Sequence, residues 1–142
     1  MALRSLAGSV GTPEKGSLVQ AVSSVDVDGS CIWDRYTVRV NGIDVPLTGK
    51  SFKYFARLAW SRKKEGKGWV WKEDLEPGWN QARYIYRMKG EIAEVIGSSW
   101  PVVENRRDGH YRLAAEPNII KLNAENLRTY PDIEISRLFL QP

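Results

Sequence analysis

Sulfur and imidazole chemistry are nearly missing from this chain: it holds one cysteine, Cys31, and one histidine, His110. A lone cysteine makes no internal disulfide, and the two residues together cannot assemble an all-Cys/His zinc site. His110 also has no Ser/Asp or Cys partner at the spacing of a nucleophilic triad, which makes it a strand residue beside a turn rather than a catalyst. No run of apolar residues approaches the ~18 needed to span a bilayer. The N-terminus, MALRSLAGSVG, lacks the continuous apolar stretch of a secretory signal, so the chain is expected in the cytoplasm, without a membrane partner. What is present is ordinary. Apolar residues make up 42% and charged residues 27% of 142 residues, which excludes collagen-like, disulfide-framework and wholly disordered chains and predicts one core.

The net charge of +4 is unevenly spread. Residues 50–89 hold 11 Lys/Arg against 4 Asp/Glu, a balance of +7 that leaves −3 for the rest. Six aromatic residues, Trp60, Trp69, Trp71, Trp79, Tyr84 and Tyr86, are interleaved with that charge, a composition that suits an anionic macromolecule.

Residues 1–23 show no sustained period and read as a flexible N-terminal arm. From Val25 the runs VDV, CIW, YTVRV and IDVPL alternate and are split by Asp28-Gly29 and Asn41-Gly42. The second pair predicts a type I′ hairpin, and the whole predicts a small antiparallel sheet over 24–47 with Val38, Val40, Ile43, Val45 and Leu47 on its buried face. Thr48 stands at an N-cap position before a helix of about 49–63, whose Phe52, Phe55, Ala56, Leu58 and Ala59 recur at helical steps. Charge and glycine over 62–68 break it. A helical turn is predicted around 72–76, ended by Pro77-Gly78. A third helix, about 80–96, carries Ala82, Ile85, Met88, Ile92 and Val95/Ile96 as one stripe and ends at Gly97. Trp100–Glu104 and His110–Leu113 then form a hairpin with Arg106 and Arg107 at its tip. Residues 117–142 form a C-terminal extension, with a helical turn at Ala124–Leu127 and a strand at Ile133–Leu140.

Four segments, in this order, resemble the OmpR/PhoB-type DNA-binding domain of response regulators. YTVRVNGIDVPLT is similar to its strand–turn–strand, SFKYFARLA to its first helix, GWVWKEDL to the start of its second, and DGHYRL to the end of its wing. The resemblance covers about Asp34 to Leu113 and implies an α+β fold: a winged helix-turn-helix domain over 24–116 with an N-terminal antiparallel sheet, three helices and a hairpin wing. Departures mark a divergent member. Asp108-Gly109-His110 replaces a Gly-x-Gly, Gln81 and Arg83 occupy usually apolar positions, and Ser51 stands where a capping-box glutamate would reach back to Thr48. A receiver domain is missing, since 23 irregular residues cannot form one, so the chain reads as a stand-alone regulator or a fragment.

The resemblance implies a transcription regulator whose partner is double-stranded DNA, with RNA polymerase as a further partner, a nucleoid location, no cofactor and no enzymatic activity. Its third helix would enter a major groove, where Arg87, with Arg83 one turn earlier, offers paired donors to a base edge. Tyr84, Tyr86 and Lys89 match family positions that reach phosphates, and Arg106 and Arg107 would meet the adjacent minor groove. Trp79, at the mouth of the third helix, lies where free N–H groups attract phosphate. The other five tryptophans (Trp33, Trp60, Trp69, Trp71 and Trp100) read as core or core edge. Two other functions fit less of the pattern. One is a winged-helix protein-docking module. The other is a hydrolase using Glu73, Asp74 and Glu76, carboxylates that the helix dipole already explains. The apolar tail, with Ile133, Ile135, Leu138, Phe139 and Leu140, needs burial either on its own domain or, as an edge strand, against a second copy in a homodimer.

Overall fold

The computed structural model describes residues 21–140, a mixed α+β fold. Three strands open it: β1 (Val25–Ile32), β2 (Arg35–Val40) and β3 (Ile43–Leu47). Then follow α1 (Gly49–Glu65), β4 (Val70–Trp71), α2 (Lys72–Leu75), α3 (Gln81–Ile96) and the hairpin β5 (Val103–Asn105) and β6 (His110–Leu113). The chain ends with β7 (Ile120–Leu122), α4 (Ala124–Arg128) and α5 (Ile133–Ser136). One sheet has the order β3-β2-β1-β7, the other β4-β6-β5.

The Asn41-Gly42 hairpin forms as the dipeptide predicts, with φ of 52° and 81°. Its Asn41 side chain also fixes the incoming chain, accepting from the Ser23 and Ser24 amides at 2.7 and 3.1 Å and donating to the Ala21 carbonyl at 3.0 Å. Residues 21–23 are therefore held against that turn, and the remainder of the expected arm lies outside the described residues.

Asp28-Gly29 behaves differently from expectation. It does not split a strand but makes a bulge inside β1, where the four steps from Val27 to Cys31 face two on β2, Val38 to Tyr36. The Asp28 carboxylate closes the bulge locally, accepting from the Ser30 amide at 3.2 Å. The turn between β1 and β2 falls instead at Trp33-Asp34, both at positive φ. Trp33 is therefore 94% exposed and not core.

The inward residues Val38, Val40, Val45 and Leu47 are fully buried as the alternation requires, with Ile43 at the margin. Against them lies α1, which runs to Glu65 and buries far more than one stripe: Tyr54 and Arg62 disappear along with the five predicted apolar residues. A helix covered on most sides is central, and α1 touches the sheet, α3 and β6. Arg62 is consequently no part of a solvated lysine-rich loop. It donates to the carbonyls of Ala115, Gly66 and Lys67 at 2.9 to 3.0 Å and pairs with Glu116 at 2.8 Å. The guanidinium thus folds the end of α1 against the chain leaving β6.

β5 begins at Val103 rather than at Trp100. Pro101 has no N–H for a ladder, and Trp100 and Val102 are buried as irregular chain.

The C-terminal extension is part of the fold. β7 runs parallel to β1, and Ile120, Leu127, Tyr130 and Ile135 are buried. Tyr130 packs its ring on Tyr36 and Phe52, at 4.8 and 5.2 Å, and donates its hydroxyl to the Gly49 carbonyl at 2.8 Å. The strand expected at Ile133–Leu140 is instead α5 followed by a 3-10 turn at Arg137–Phe139. A strand would put Ile133 and Ile135 on one face, yet Ile135 is buried and Ile133 is 62% exposed. Ile135, Leu138 and Phe139 meet the core at three- and four-residue steps, and Asp132 caps the helix by accepting from the Glu134 amide at 2.9 Å. The open strand edge on which pairing with a second copy rested does not exist there.

Candidate nucleic-acid interface

α3 is held at its start and its middle. Its buried stripe is Gln81, Ile85, Met88, Ile92 and Ile96, one position out of phase with the expected start, so that Ala82 is exposed and Gln81 buried. A polar side chain goes inside only with partners. The Gln81 amide donates to the carbonyls of Gly78, at 2.9 Å, and of Glu76, which fixes the turn between α2 and α3. Halfway along, the Glu91 carboxylate accepts from the Thr48 amide and the Thr48 hydroxyl, each at 2.9 Å. Thr48 makes no side-chain cap bond to its own helix. Glu91 does from α3 what the missing capping-box glutamate would do from within α1.

Glu76 joins the same corner. Its carboxylate accepts from Tyr54 Oη at 2.8 Å and pairs with Lys50. Burial alone would raise its pKa, but the hydrogen bonds from Lys50 and Tyr54 outweigh that and hold it below the usual carboxylate value. Burial, with the Glu76 carboxylate adding to it, pushes the Tyr54 phenol far up, so it remains a donor. Of the three carboxylates at α2, Glu76 is thus bound into a structural joint, and Glu73 and Asp74 lie in the first turn of α2. Among the described residues no cluster of three or more His, Cys, Asp or Glu is placed to hold a metal ion.

The opposite face of α3 is open. Arg83, Tyr86, Arg87 and Lys89 are all exposed, Tyr86 to 79%. Tyr84 is not among them: it is half-buried, edge-on to Tyr54 at 5.8 Å, and the Arg87 guanidinium lies 5.6 Å above its ring. The structure thus makes Tyr84 a support for Arg87. Trp79, 92% exposed, projects at the start of α3, where the Asn80 side chain makes no cap bond and no acidic residue stands in the first turn.

The β5–β6 hairpin stands beside α3. A groove of about 210 Å³ separates them, lined by Tyr86 and Lys89 from α3 and by Asn105 and Tyr111 from the hairpin. Gly109 is the tightest point of the hairpin. It has φ 92°, and a Cβ there would stand 2.5 Å from Trp71 Cζ3. Its carbonyl accepts from the Lys72 amide at 2.8 Å, tying the hairpin to the first residue of α2. Asp108 then organises the tip. It accepts from Arg106 Nε at 3.0 Å, contacts His110 Nδ1 at 2.9 Å and accepts from the His110 amide at 3.1 Å. Desolvation works to raise the Asp108 pKa, but these hydrogen bonds prevail and lower it. Arg106 also lies 5.0 Å over Trp69, whereas Arg107 is exposed at φ 71°.

Three of the eleven cations counted over 50–89 are paired within the fold: Lys50 with Glu76, Lys53 with Asp132 and Glu134, and Arg62 with Glu116. Among the described residues Arg83, Arg87, Lys89 and Arg107 enter no ion pair. Sequence reading missed Gln81 and Glu91 as positioning residues. Gln81 carried a signal, since it lies in phase with the stripe at Ile85, Met88 and Ile92. Glu91 carried none, because its partner is 43 residues away.

Fold and surface together define an α+β domain that presents a cationic helix face beside a hairpin. No family model, no curated protein and no solved structure matches the chain. Among the described residues, no helix is long and apolar enough to cross a membrane.

Proposed function

We propose that this protein is a winged helix-turn-helix regulator of transcription that binds double-stranded DNA at particular sequences, with α3 as recognition helix and the β5–β6 hairpin as wing. One observation carries the reading: the four cations of α3 and the hairpin tip that pair with no carboxylate among the described residues, Arg83, Arg87, Lys89 and Arg107, belong to two neighbouring elements. An α-helix fits the major groove of B-DNA, and an arginine there donates two parallel hydrogen bonds to guanine O6 and N7. Arg87, backed by the Tyr84 ring, is the base-reading residue in this arrangement. Lys89, Tyr86 and Arg107 meet phosphates, which set register rather than sequence.

Selection of bound sequences from a random duplex library tests the reading, together with Arg87→Ala measured on the selected duplex and on bulk DNA at one salt concentration. A recovered motif, with affinity for the selected duplex falling about tenfold or more and bulk affinity far less, is the expected result. Recovery of no motif would leave the same surface as a docking face for an acidic protein.

A further inference from the structure

Gly90 has no role that the fold explains. It is the tenth of sixteen residues in α3, well inside the helix, where glycine is about 1 kcal/mol less favourable than alanine. A helix tolerates glycine for a left-handed backbone, for close packing on another element, or at its end. Gly90 is not among the residues at positive φ, and a Cβ built on it meets nothing within 4 Å. The other described glycines with open space around them, Gly42, Gly66 and Gly78, all have the backbone reason that Gly90 lacks.

Its position is informative. At 3.6 residues per turn, Arg83, Gly90 and Glu94 fall along the line opposite the buried stripe, with Arg87 and Tyr86 on either side. Gly90 is exposed and also forms part of a shallow groove of about 340 Å³, lined further by Tyr86, Ala93, Trp100 and Val102. In the free protein a Cβ has open space there, so that space is limited only when something else occupies it.

We infer that Gly90 is where a partner's surface comes against the backbone of α3; resting on the DNA reading, that surface is the deoxyribose–phosphate wall of the groove that α3 enters. Contact at the Cα brings the helix closer to the wall than a side chain would permit, while Arg83 and Arg87 reach past it to the bases. Gly90 is then a determinant of how deeply the recognition helix seats.

The test uses the opposite signs of the two effects. Gly90→Ala and Gly90→Gln both introduce better helix formers into open space, and both are expected to raise the melting temperature of the full chain by about 3–5 °C. On the duplex selected by the wild-type protein, Gly90→Ala is expected to bind about tenfold more weakly and Gly90→Gln more weakly still. Unchanged or tighter binding by both variants, alongside loss of discrimination in Arg87→Ala, overturns the role of Gly90 and leaves the DNA reading standing. A fall in melting temperature overturns it too, by exposing a structural role. Absence of duplex binding by the wild type removes both.

Discussion

Glu76 shows how a single side chain can look catalytic in sequence and prove structural in space. Near Glu73 and Asp74 it belongs to the densest acidic cluster of the chain, yet Lys50 and Tyr54 occupy its carboxylate and join α1 to the end of α2. Because those partners depress its pKa below the ordinary 4.5, the stabilisation is fully present above that value and is lost as pH falls through the depressed one. Glu76→Gln is expected to cost about 1 kcal/mol near neutral pH, measured by urea unfolding, with the difference from wild type shrinking as the solution is made more acidic than its ordinary pKa. A pH-independent difference would assign the cost to side-chain shape rather than to charge. Arg62 follows the same pattern: counted as surface charge in the sequence, it is 5% exposed and satisfied by three carbonyls and one carboxylate.

At the scale of elements, the hairpin is held by the pairing of β6 with β4 and by α1, and Gly109 adds a close contact at its tip. Gly109 passes under the Trp71 ring so closely that even a methyl group cannot enter, whereas Gly42, with a similar positive φ, has open space around it. Gly42→Ala is therefore expected to cost about 1 kcal/mol, for backbone strain alone. Gly109→Ala is expected to cost clearly more, about 2–4 kcal/mol, because Trp71 must also move. Denaturant midpoints of the two variants separate the terms, and a change in tryptophan emission should accompany only the second. Equal losses would mean that Trp71 swings aside freely and that the hairpin is not fixed by this contact. α3 is secured at different points, by Gln81 at the turn and by Glu91 on Thr48, and neither anchor draws on Arg83 or Arg87.

For the molecule as a whole, residues 117–140 share the core of the main sheet. β7 supplies the fourth strand of the main sheet, and Ile120, Leu127, Tyr130 and Ile135 are buried. Each large side chain contributes ~1.5–3 kcal/mol on burial, so four of them approach the roughly 5–15 kcal/mol that separates a folded domain from its unfolded chain. Truncation after Pro117 is expected to abolish cooperative thermal unfolding followed by circular dichroism. A cooperative melt of the truncated chain would show that the domain ends at β6 and that the extension is an accessory. The ion pairs of Lys53 with Asp132 and Glu134 hold the same segment to α1, turning one cation of the basic central region toward two carboxylates of the extension.

Elements whose signals are local were legible from the residues alone. Asn41-Gly42 makes its turn because positive φ is a property of those two residues, and the helical spacing of Phe52 to Ala59 places α1 whatever surrounds it. The alternation that buries Val38, Val40, Val45 and Leu47 was equally legible. Among the candidate contacts, Arg83, Arg87, Lys89 and Arg107 are exposed on the elements where the sequence placed them. The remainder depended on packing between elements. Asp28-Gly29 became a bulge because β2 runs on unbroken beside it, and Ile133–Leu140 became helical because the surface it meets rewards three- and four-residue steps rather than two. Tyr84 and Gln81 turned inward for the same kind of reason. Their partners, Tyr54 on α1 and the Glu76 and Gly78 carbonyls in the turn, exist as neighbours only once the helices have packed, and no local pattern encodes a partner brought near by folding.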